Sequence, residues 1–409
     1  MKAAILTIGD ELLDGFKVDT NAAWLGQRLL QRGVTVVSMA SVRDEQRAIV
    51  DLVSRLDGQA DIVIVTGGLG PTPDDVTKAA FCSYFHSDVH FDENYWQVLV
   101  DRFRQRGYDI PDNNRSQAEI PTRAKLLSNS VGTAPGLEFD SAGTTFYVLP
   151  GVPAEMEAIM REHVLPGLGG GASIPWVTLR TAGMFESALA ERLAPLLPED
   201  DSVRVAFLPE YTGLDVRIRG VDNSPAIRQR VGALAEALES ELGGVVYGRD
   251  DVTMEAAVGT LLSHRKETLA VAESSSGGLV SSRLTDIPGA SAYLLGAVVA
   301  YSNEAKIAQL GVRPDTLETQ GAVSEPIARE MAAGVQSLLG THWGVATTGI
   351  AGPGGGTADK PVGLVFVAVS GPHRTVSREA HLVPDRIAHK AATAQMALNL
   401  LRQELLSLE

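Results

Sequence analysis

Short apolar runs alternate with amphipathic stretches over most of the chain. Ala3 to Ile8 is mostly apolar and stops at Gly9-Asp10-Glu11, as a strand buried on both faces does. Thr20-Asn21 precede AAWLGQRLLQRG, whose apolar positions recur at helical spacing and end at Gly33. Val34 to Ser38 predicts a second strand, Ala48 to Leu56 a helix, and Asp61 to Thr66 a third strand running into GGLGPTPDD. Thr145 to Leu149 predicts a late strand entering PGVPAEM, with a helix to about Val164. Strands and helices alternating at such intervals predict a parallel sheet covered on both faces.

The stretch PGLGGGAS (166–173) reads as a linker. A smaller α+β unit follows, with strands at Val177 to Thr181, Val203 to Phe207 and Leu214 to Arg219, and helices at Phe185 to Leu193 and Ile227 to Leu242. Alternation then resumes. Glu255 to His264, Leu279 to Leu284, Pro326 to Leu339 and Arg386 to Leu406 predict helices; Thr268 to Ala272, Ala297 to Tyr301, Trp343 to Thr347 and Gly363 to Val369 predict strands. The expected fold class is α/β: two three-layer αβα domains with parallel-rich sheets, residues 1–168 and 252–409, joined by a small α+β domain, residues 174–249. No repeat at a solenoid period is visible.

The 409 residues allow two to four domains, and 44% apolar with 21% charged residues is ordinary globular composition. A net charge of −15 argues against direct nucleic-acid contact, which needs clustered Lys and Arg. The single cysteine, Cys82 in AAFCSYF, reads as core filler and excludes both an intrachain disulfide and a Cys-based zinc site. No stretch approaches the ~18 apolar residues of a membrane span. The opening MKAAILTIGDELL is broken by charge and has no cleavage site, so the expected compartment is the cytoplasm. Base rates favour a homodimer.

Two glycine-bearing turns follow expected strands, Gly9-Asp10-Glu11 and Thr66 to Thr72 (TGGLGPT). In an open parallel sheet both lie at the carboxyl edge, where ligands bind. Gly67, Gly68 and Gly70 let backbone approach a phosphate, and Thr72 stands beside them. Asp10, Glu11, Asp74 and Asp75 supply carboxylates, and acids beside a phosphate site imply a hard divalent cation such as magnesium. Asn113, Asn114 and NSVGTAPG (129–136) add amides and another turn. The plainer reading makes these tight turns with Asp74 as a helix cap; their co-location with acids favours a site. Neither a G-x-x-x-x-G-K-[ST] loop nor a dinucleotide fingerprint is present.

Towards the end, Glu273-Ser274-Ser275-Ser276-Gly277-Gly278 leaves a strand and opens a helix. A serine on such a turn can be held exposed beside helix N–H groups, but it needs a base. His264, His342, His373, His381 and His389 are scattered without a common motif. A lysine is the alternative base, since burial lowers its pKa, and AYSNEAK offers Tyr301 and Lys306. GIAGPGGG, with Gly349, Gly352 and Gly354, is a further backbone-rich loop, and Lys360 and Arg386 are available for a phosphate. On the residues alone, Ser274 to Ser276 read first as a capping cluster, and Lys306 as a solvated helix residue.

IGDELLDG, TGGLGPTPDDVT, NNRSQAEIP, NSVGTAPG and LPGVPAEM, in this order, resemble the amino-terminal domain of the CinA (competence/damage-inducible protein A) family, itself similar to molybdopterin-binding domains. ESSSGG, TDIPGASAYLLGAVVAYSNEAK, GAVSE, TTGIAGPGGG and KPVGLVFVAV resemble its carboxy-terminal domain. The resemblance implies metal-dependent hydrolysis of ADP-ribose to AMP and ribose 5-phosphate at the front. Asp10, Glu11, Asp74 and Asp75 would be the metal-linked acids, Gly67, Gly68, Gly70 and Thr72 the phosphate cradle, and Asn113 a further substrate contact.

At the back the resemblance implies deamidation of nicotinamide mononucleotide without a cofactor. Ser274 would be the nucleophile, Lys306 its base, Tyr301 a proton-transfer aid and Arg386 a substrate contact. Ser275, Ser276, Gly277, Gly278, Gly349, Gly352 and Gly354 would line the substrate. The family commonly has Cys-Thr where this chain has Ser275-Ser276, which leaves open which serine attacks. The middle segment takes the place of a KH-like domain but lacks a GXXG clamp, and Glu199, Asp200 and Asp201 make its loop acidic, so it reads as a structural or interface module. Two rival readings remain: a nucleotide- or pterin-binding module without turnover, and a competence or DNA-damage scaffold.

Overall fold

The apolar run near the amino terminus forms β1 (Lys2–Ile8), and its side chains alternate between two cores, as the two-residue period of a strand requires. A computed structural model describes residues 1–141, 143–168 and 173–407 and divides into two units, Met1–Ile174 and Pro175–Glu409. Residues 169–172, the glycine run inside the expected linker, lie outside the described residues.

In the first unit, helices α1 (Asp10–Leu13), α2 (Thr20–Gln31), α3 (Gln46–Leu56), α4 (Thr77–Phe85), α5 (Glu93–Gln105) and α6 (Pro153–Ile159) surround a six-stranded sheet. Its strands are β1, β2 (Thr35–Val42), β3 (Ile62–Thr66), β6 (Lys125–Leu127), β7 (Gly136–Asp140) and β8 (Thr145–Leu149), while β4 (Val89–Phe91) and β5 (Glu119–Pro121) pair separately. The order is β2-β1-β3-β8-β7-β6. The first four are parallel; β8 pairs antiparallel with β7, and β7 with β6. The sheet is parallel-rich, as expected, and turns antiparallel at this edge because only residues 141–144 separate β7 from β8, far short of a crossover.

Ala3 and Ile5 pack with Leu25 and Leu29 of α2 and with Met156 and Ile159 of α6. Ala4, Leu6 and Ile8 pack with Ile49 and Val53 of α3 and Phe81 of α4. Asp19 caps α2 by accepting from Ala22 N–H at 2.8 Å, so the helix includes Thr20 and Asn21. Cys82 is half-buried rather than a core residue.

The second unit begins with the antiparallel sheet β10-β11-β9-β12, formed by β9 (Trp176–Thr181), β10 (Val203–Glu210), β11 (Gly213–Gly220) and β12 (Val246–Arg249). Leu179, Val216 and Ile218 pack against α7 (Glu186–Leu193) and α8 (Pro225–Leu242). The α/β remainder contains α9 (Met254–Arg265), β13 (Leu269–Glu273), α10 (Leu279–Thr285), β14 (Leu294–Val299), α11 (Asn303–Leu310), α12 (Pro314–Gln320), α13 (Glu325–Leu339), β15 (Trp343–Gly349), β16 (Leu364–Ser370), β17 (Thr375–His381) and α14 (Arg386–Leu406).

The strand order there is β14-β13-β15-β16-β17. β13 runs parallel to β14 and β15, and β16 and β17 are antiparallel additions. One face of this sheet, with Leu269, Val271, Val345 and Val367, packs on α9 and α14. The other carries Ala270, Ala272, Ala346 and Ala368 and packs on Ile327, Met331 and Val335 of α13. Small residues there allow close approach. A Cβ on Gly344 of β15 would stand 2.1 Å from the Ala332 carbonyl oxygen of α13, and one on Gly334 of α13 would stand 1.9 Å from that of Leu310 in α11.

Candidate active sites

In the second unit β13 ends at Glu273, and the chain turns through residues 274–278 before α10 begins. Gly277 and Gly278 have φ of +62° and +94°, the left-handed region open to glycine at no steric cost. The Glu273 carboxylate is fully buried and organises the turn. Its Oε2 accepts from Ser276 Oγ at 2.7 Å, Gly278 N–H at 2.9 Å and Val280 N–H at 3.0 Å, and its Oε1 from Ser281 N–H at 2.9 Å and Ser281 Oγ at 2.7 Å. It thereby satisfies first-turn donors of α10 whose capping residue, Gly278, has no side chain. Sequence reasoning missed this role, because an acid at a strand end looks like any surface acid.

The three serines have different surroundings. Ser276 Oγ is bonded to Glu273 and also lies 2.7 Å from Thr347 Oγ1. Ser275 Oγ is buried without a partner among the described residues. Ser274 Oγ faces Lys306 Nζ at 3.2 Å. Of the three, Ser274 is the hydroxyl that meets an amine.

Lys306 lies on α11, capped by Ser302 accepting from Ala305 N–H at 3.2 Å. It is 1% exposed, which rules out the solvated alternative. Its Nζ also lies 3.0 Å from the Ala300 carbonyl oxygen and 3.4 Å from that of Tyr301. Burial pushes the amine below its usual pKa, with nearby Glu304 opposing the shift.

The geometry has a chemical consequence. Carbonyls only accept, so a neutral amine directs its two N–H bonds at them and its lone pair at the serine hydroxyl. Tyr301 is 62% exposed, and its Oη accepts from Arg386 Nη2 at 2.9 Å. Arg386 Nη1 donates to the Gly352 carbonyl at 2.8 Å, so Arg386 ties Tyr301 to the glycine loop. A Cβ on Gly349 would lie 3.1 Å from Ser275 Oγ, which brings this residue to the serine turn, whereas Gly354 is exposed with open space around it. Lys360 does not offer itself to a phosphate: its ammonium donates to the Gln320 and Val323 carbonyls. His342 Nδ1 accepts from Thr268 N–H at 3.0 Å, a structural task.

In the first unit the turns after β1 and β3 meet beside a cavity of about 440 Å³. A Cβ on Gly67, at φ +116°, would stand 2.0 Å from the Ile8 carbonyl oxygen. Gly68, at φ +63°, covers Thr77 Oγ1, 2.2 Å from where its Cβ would be. Gly67, Gly68 and Gly70 line the cavity with Asp44, Asp74 and Gln117. Asp75 reaches its wall but is occupied, accepting from Gly70 N–H at 2.7 Å, Thr72 N–H at 2.8 Å and the Thr72 hydroxyl. Thr72 and Asp75 therefore brace the turn together.

Asp10 is held outside by Arg43 at 3.4 Å, and Glu11 lines the cavity while pairing with Lys17 at 3.4 Å. Among the described residues no three His, Cys, Asp or Glu side chains converge closely enough to hold a metal, so Asp10, Glu11, Asp74 and Asp75 do not form one set. Asp44, missed from sequence, has its carboxyl pushed above the usual range by burial and by repulsion from Asp10, Glu11 and Asp74. Asn113 is exposed, accepting from Asn114 Nδ2 at 3.3 Å, and is not part of the cavity lining. Gln117, one turn further along the same short 3₁₀ segment, is the amide that lines the cavity.

Residues 4–169 match the family described as "Probable molybdopterin binding domain", 177–248 the "Damage-inducible protein CinA KH domain" and 251–405 the "CinA C-terminal domain". The chain is 41% identical over 410 residues to a CinA-like protein of Salinibacter ruber, covering 99% of this chain and all of the relative. It is 39% identical over 417 residues to one from Chloroherpeton thalassium, covering 98% and 99%. The crystal structure of the competence/damage inducible protein CihA from Agrobacterium tumefaciens is 38% identical, covers 37% of this chain and 93% of its own, and gives a TM-score of 0.36.

Proposed function

The chain belongs to the CinA family, and on that premise we propose that its second unit hydrolyses the carboxamide of nicotinamide mononucleotide, with Ser274 as nucleophile and Lys306 as base. The observation that carries the reading is the 3.2 Å approach of a buried amine, otherwise bonded only to two backbone carbonyls among the described residues, to a serine hydroxyl on a glycine turn. As Ser274 Oγ attacks the carboxamide carbon, its proton passes to Lys306 Nζ and the carbonyl π pair moves to oxygen. Turn N–H groups at the start of α10 are the candidate donors to that oxyanion. The intermediate collapses by expelling the amide nitrogen, which takes the proton from Nζ and leaves as ammonia. Water then attacks the acyl-serine with Lys306 again accepting the proton, releasing nicotinate mononucleotide and restoring the serine. Arg386 and Tyr301 form the outer wall and orient substrate.

For the first unit we propose that the cavity takes ADP-ribose and releases AMP and ribose 5-phosphate. Backbone at Gly67, Gly68 and Gly70 would meet the diphosphate. The mutual repulsion of Asp44, Asp10, Glu11 and Asp74 fits a nearby cation, and without a three-acid set a magnesium-like ion would share one or two carboxylates with the substrate's own oxygens. Such an ion would supply charge neutralisation and an activated water. The lack of three convergent acids among the described residues also favours a second reading, in which this cavity binds a nucleotide or pterin without turnover. AMP release from ADP-ribose across divalent metals separates the two.

The deciding assay for the second unit is ammonia release from nicotinamide mononucleotide by wild type, Ser274→Ala and Lys306→Ala. An active wild type with two folded, inactive variants supports the mechanism; full activity in Ser274→Ala refutes it. With a net charge of −15, direct DNA contact is not part of the proposal, and no helix among the described residues is long and apolar enough to cross a membrane.

A further inference from the structure

Three cationic side chains near the serine turn and the glycine loop are already committed. Lys306 meets Ser274 and two carbonyls, Arg386 is tied to Tyr301 and Gly352, and Lys360 is tied to Gln320 and Val323. Lys390, one helical turn beyond Arg386 on α14, is half-buried and has no hydrogen bond or ion pair among the described residues. The acid at the start of that helix, Asp385, is occupied in capping it, accepting from Ala388 N–H at 2.8 Å.

The Lys390 ammonium stands over the serine turn. Its Nζ and Cε would lie 3.5 and 3.7 Å from a Cβ placed on Gly277. Gly277 N–H donates to the Ser274 carbonyl at 3.1 Å, so these two residues are the ends of one tight turn. A positive charge without a protein counterion thus faces the backbone that carries the nucleophile.

We propose that Lys390 holds the 5′-phosphate of the nucleotide whose amide Ser274 attacks, and so sets the preference for phosphorylated over phosphate-free substrate. The proposal rests on the deamidase reading and adds to it a specificity residue. A lysine suits the task as a compact point charge on a flexible stem.

The test uses the full chain with Lys390→Met and Lys390→Arg, and compares nicotinamide mononucleotide with nicotinamide riboside, which lacks only the phosphate. Lys390→Met is expected to raise KM for the mononucleotide roughly 10- to 100-fold while kcat stays within about twofold, the loss of one charge-assisted contact. Riboside turnover should be unchanged, and Lys390→Arg should recover most of the loss. An unchanged KM, or equal losses on both substrates, overturns the proposal. If wild type releases no ammonia, the deamidase reading fails, and titration with ribose 5-phosphate decides the phosphate site by itself. Binding weakened about tenfold in Lys390→Met supports it; equal affinity overturns it.

Discussion

Replacing Glu273 by glutamine changes one atom and removes one charge, yet it should loosen the whole serine turn. The carboxylate takes five donors, three on Oε2 and two on Oε1. The least costly orientation of the amide puts its nitrogen at the Oε1 position, where the Ser281 hydroxyl can rotate away but the Ser281 N–H loses its acceptor. That orphaned donor costs about 1–3 kcal/mol, and the three remaining bonds each lose about 1 kcal/mol of charge assistance. The neutral amide is cheaper to bury, which offsets part of this, so a net loss of about 2–4 kcal/mol is expected. Because the chain has two units, a local assay is better than global melting. Hydrogen exchange at Gly278, Val280 and Ser281 should accelerate roughly 30- to 700-fold, with slower ammonia release. Acceleration below about threefold, less than 0.7 kcal/mol, would refute the assignment of Glu273 as the organiser of the turn.

Lys306→Met should abolish turnover without destabilising the fold near neutral pH. The folded-state pKa of the amine is depressed, so between that value and its ordinary 10.5 the unfolded chain binds a proton that the folded chain does not. Wild-type stability therefore rises with pH through this window, and the advantage of Lys306→Met, read by denaturation at several pH values, should shrink as pH approaches 10.5; a widening advantage contradicts the burial argument. Wild-type kcat/KM should rise with pH and level off below 10.5 as the amine becomes neutral. Ser275→Ala removes a buried hydroxyl without a partner and should be neutral or stabilising by up to about 1 kcal/mol in chemical denaturation, with ammonia release retained; loss of activity would assign the attack to Ser275. Gly67→Ala places a methyl 2.0 Å from the Ile8 carbonyl oxygen at φ +116° and should destabilise the first unit by more than about 2 kcal/mol while sparing ammonia release; wild-type thermal stability would contradict the close approach.

What could be read in advance followed burial. β1, β3, β13 and β15 sit inside their sheets and appear as mostly apolar runs. β17, TVSREAH, is an edge strand with an intermediate and exposed pattern, so its sequence carries no such run. β14 alternates intermediate and exposed positions at the opposite edge, which shifted its expected range from Leu294–Val299 to 297–301. At the second unit's site the motif order brought Ser274, Tyr301, Lys306 and Arg386 into view together. Its support was hidden, because Glu273 acts through five bonds that depend on the turn being folded. At the first site composition alone could not separate Asp75, occupied by its own turn, from Asp44, which faces the cavity.

The two faces of the second unit's α/β sheet should respond unequally to random mutation. On the α14 side the core is rich in Leu and Val, with Trp343 and Tyr293 among them, and a saturation library should accept many aliphatic exchanges at the Leu and Val positions. On the α13 side Gly344 and Gly334 hold backbone against backbone and Ala270, Ala272 and Ala346 fill what remains, so nearly every enlargement should be depleted. The depletion should extend from stability into activity, because Gly334 packs on the carbonyl of Leu310, the last residue of the helix that carries Lys306. In such a library, positions far from any substrate would score as though they were part of the site.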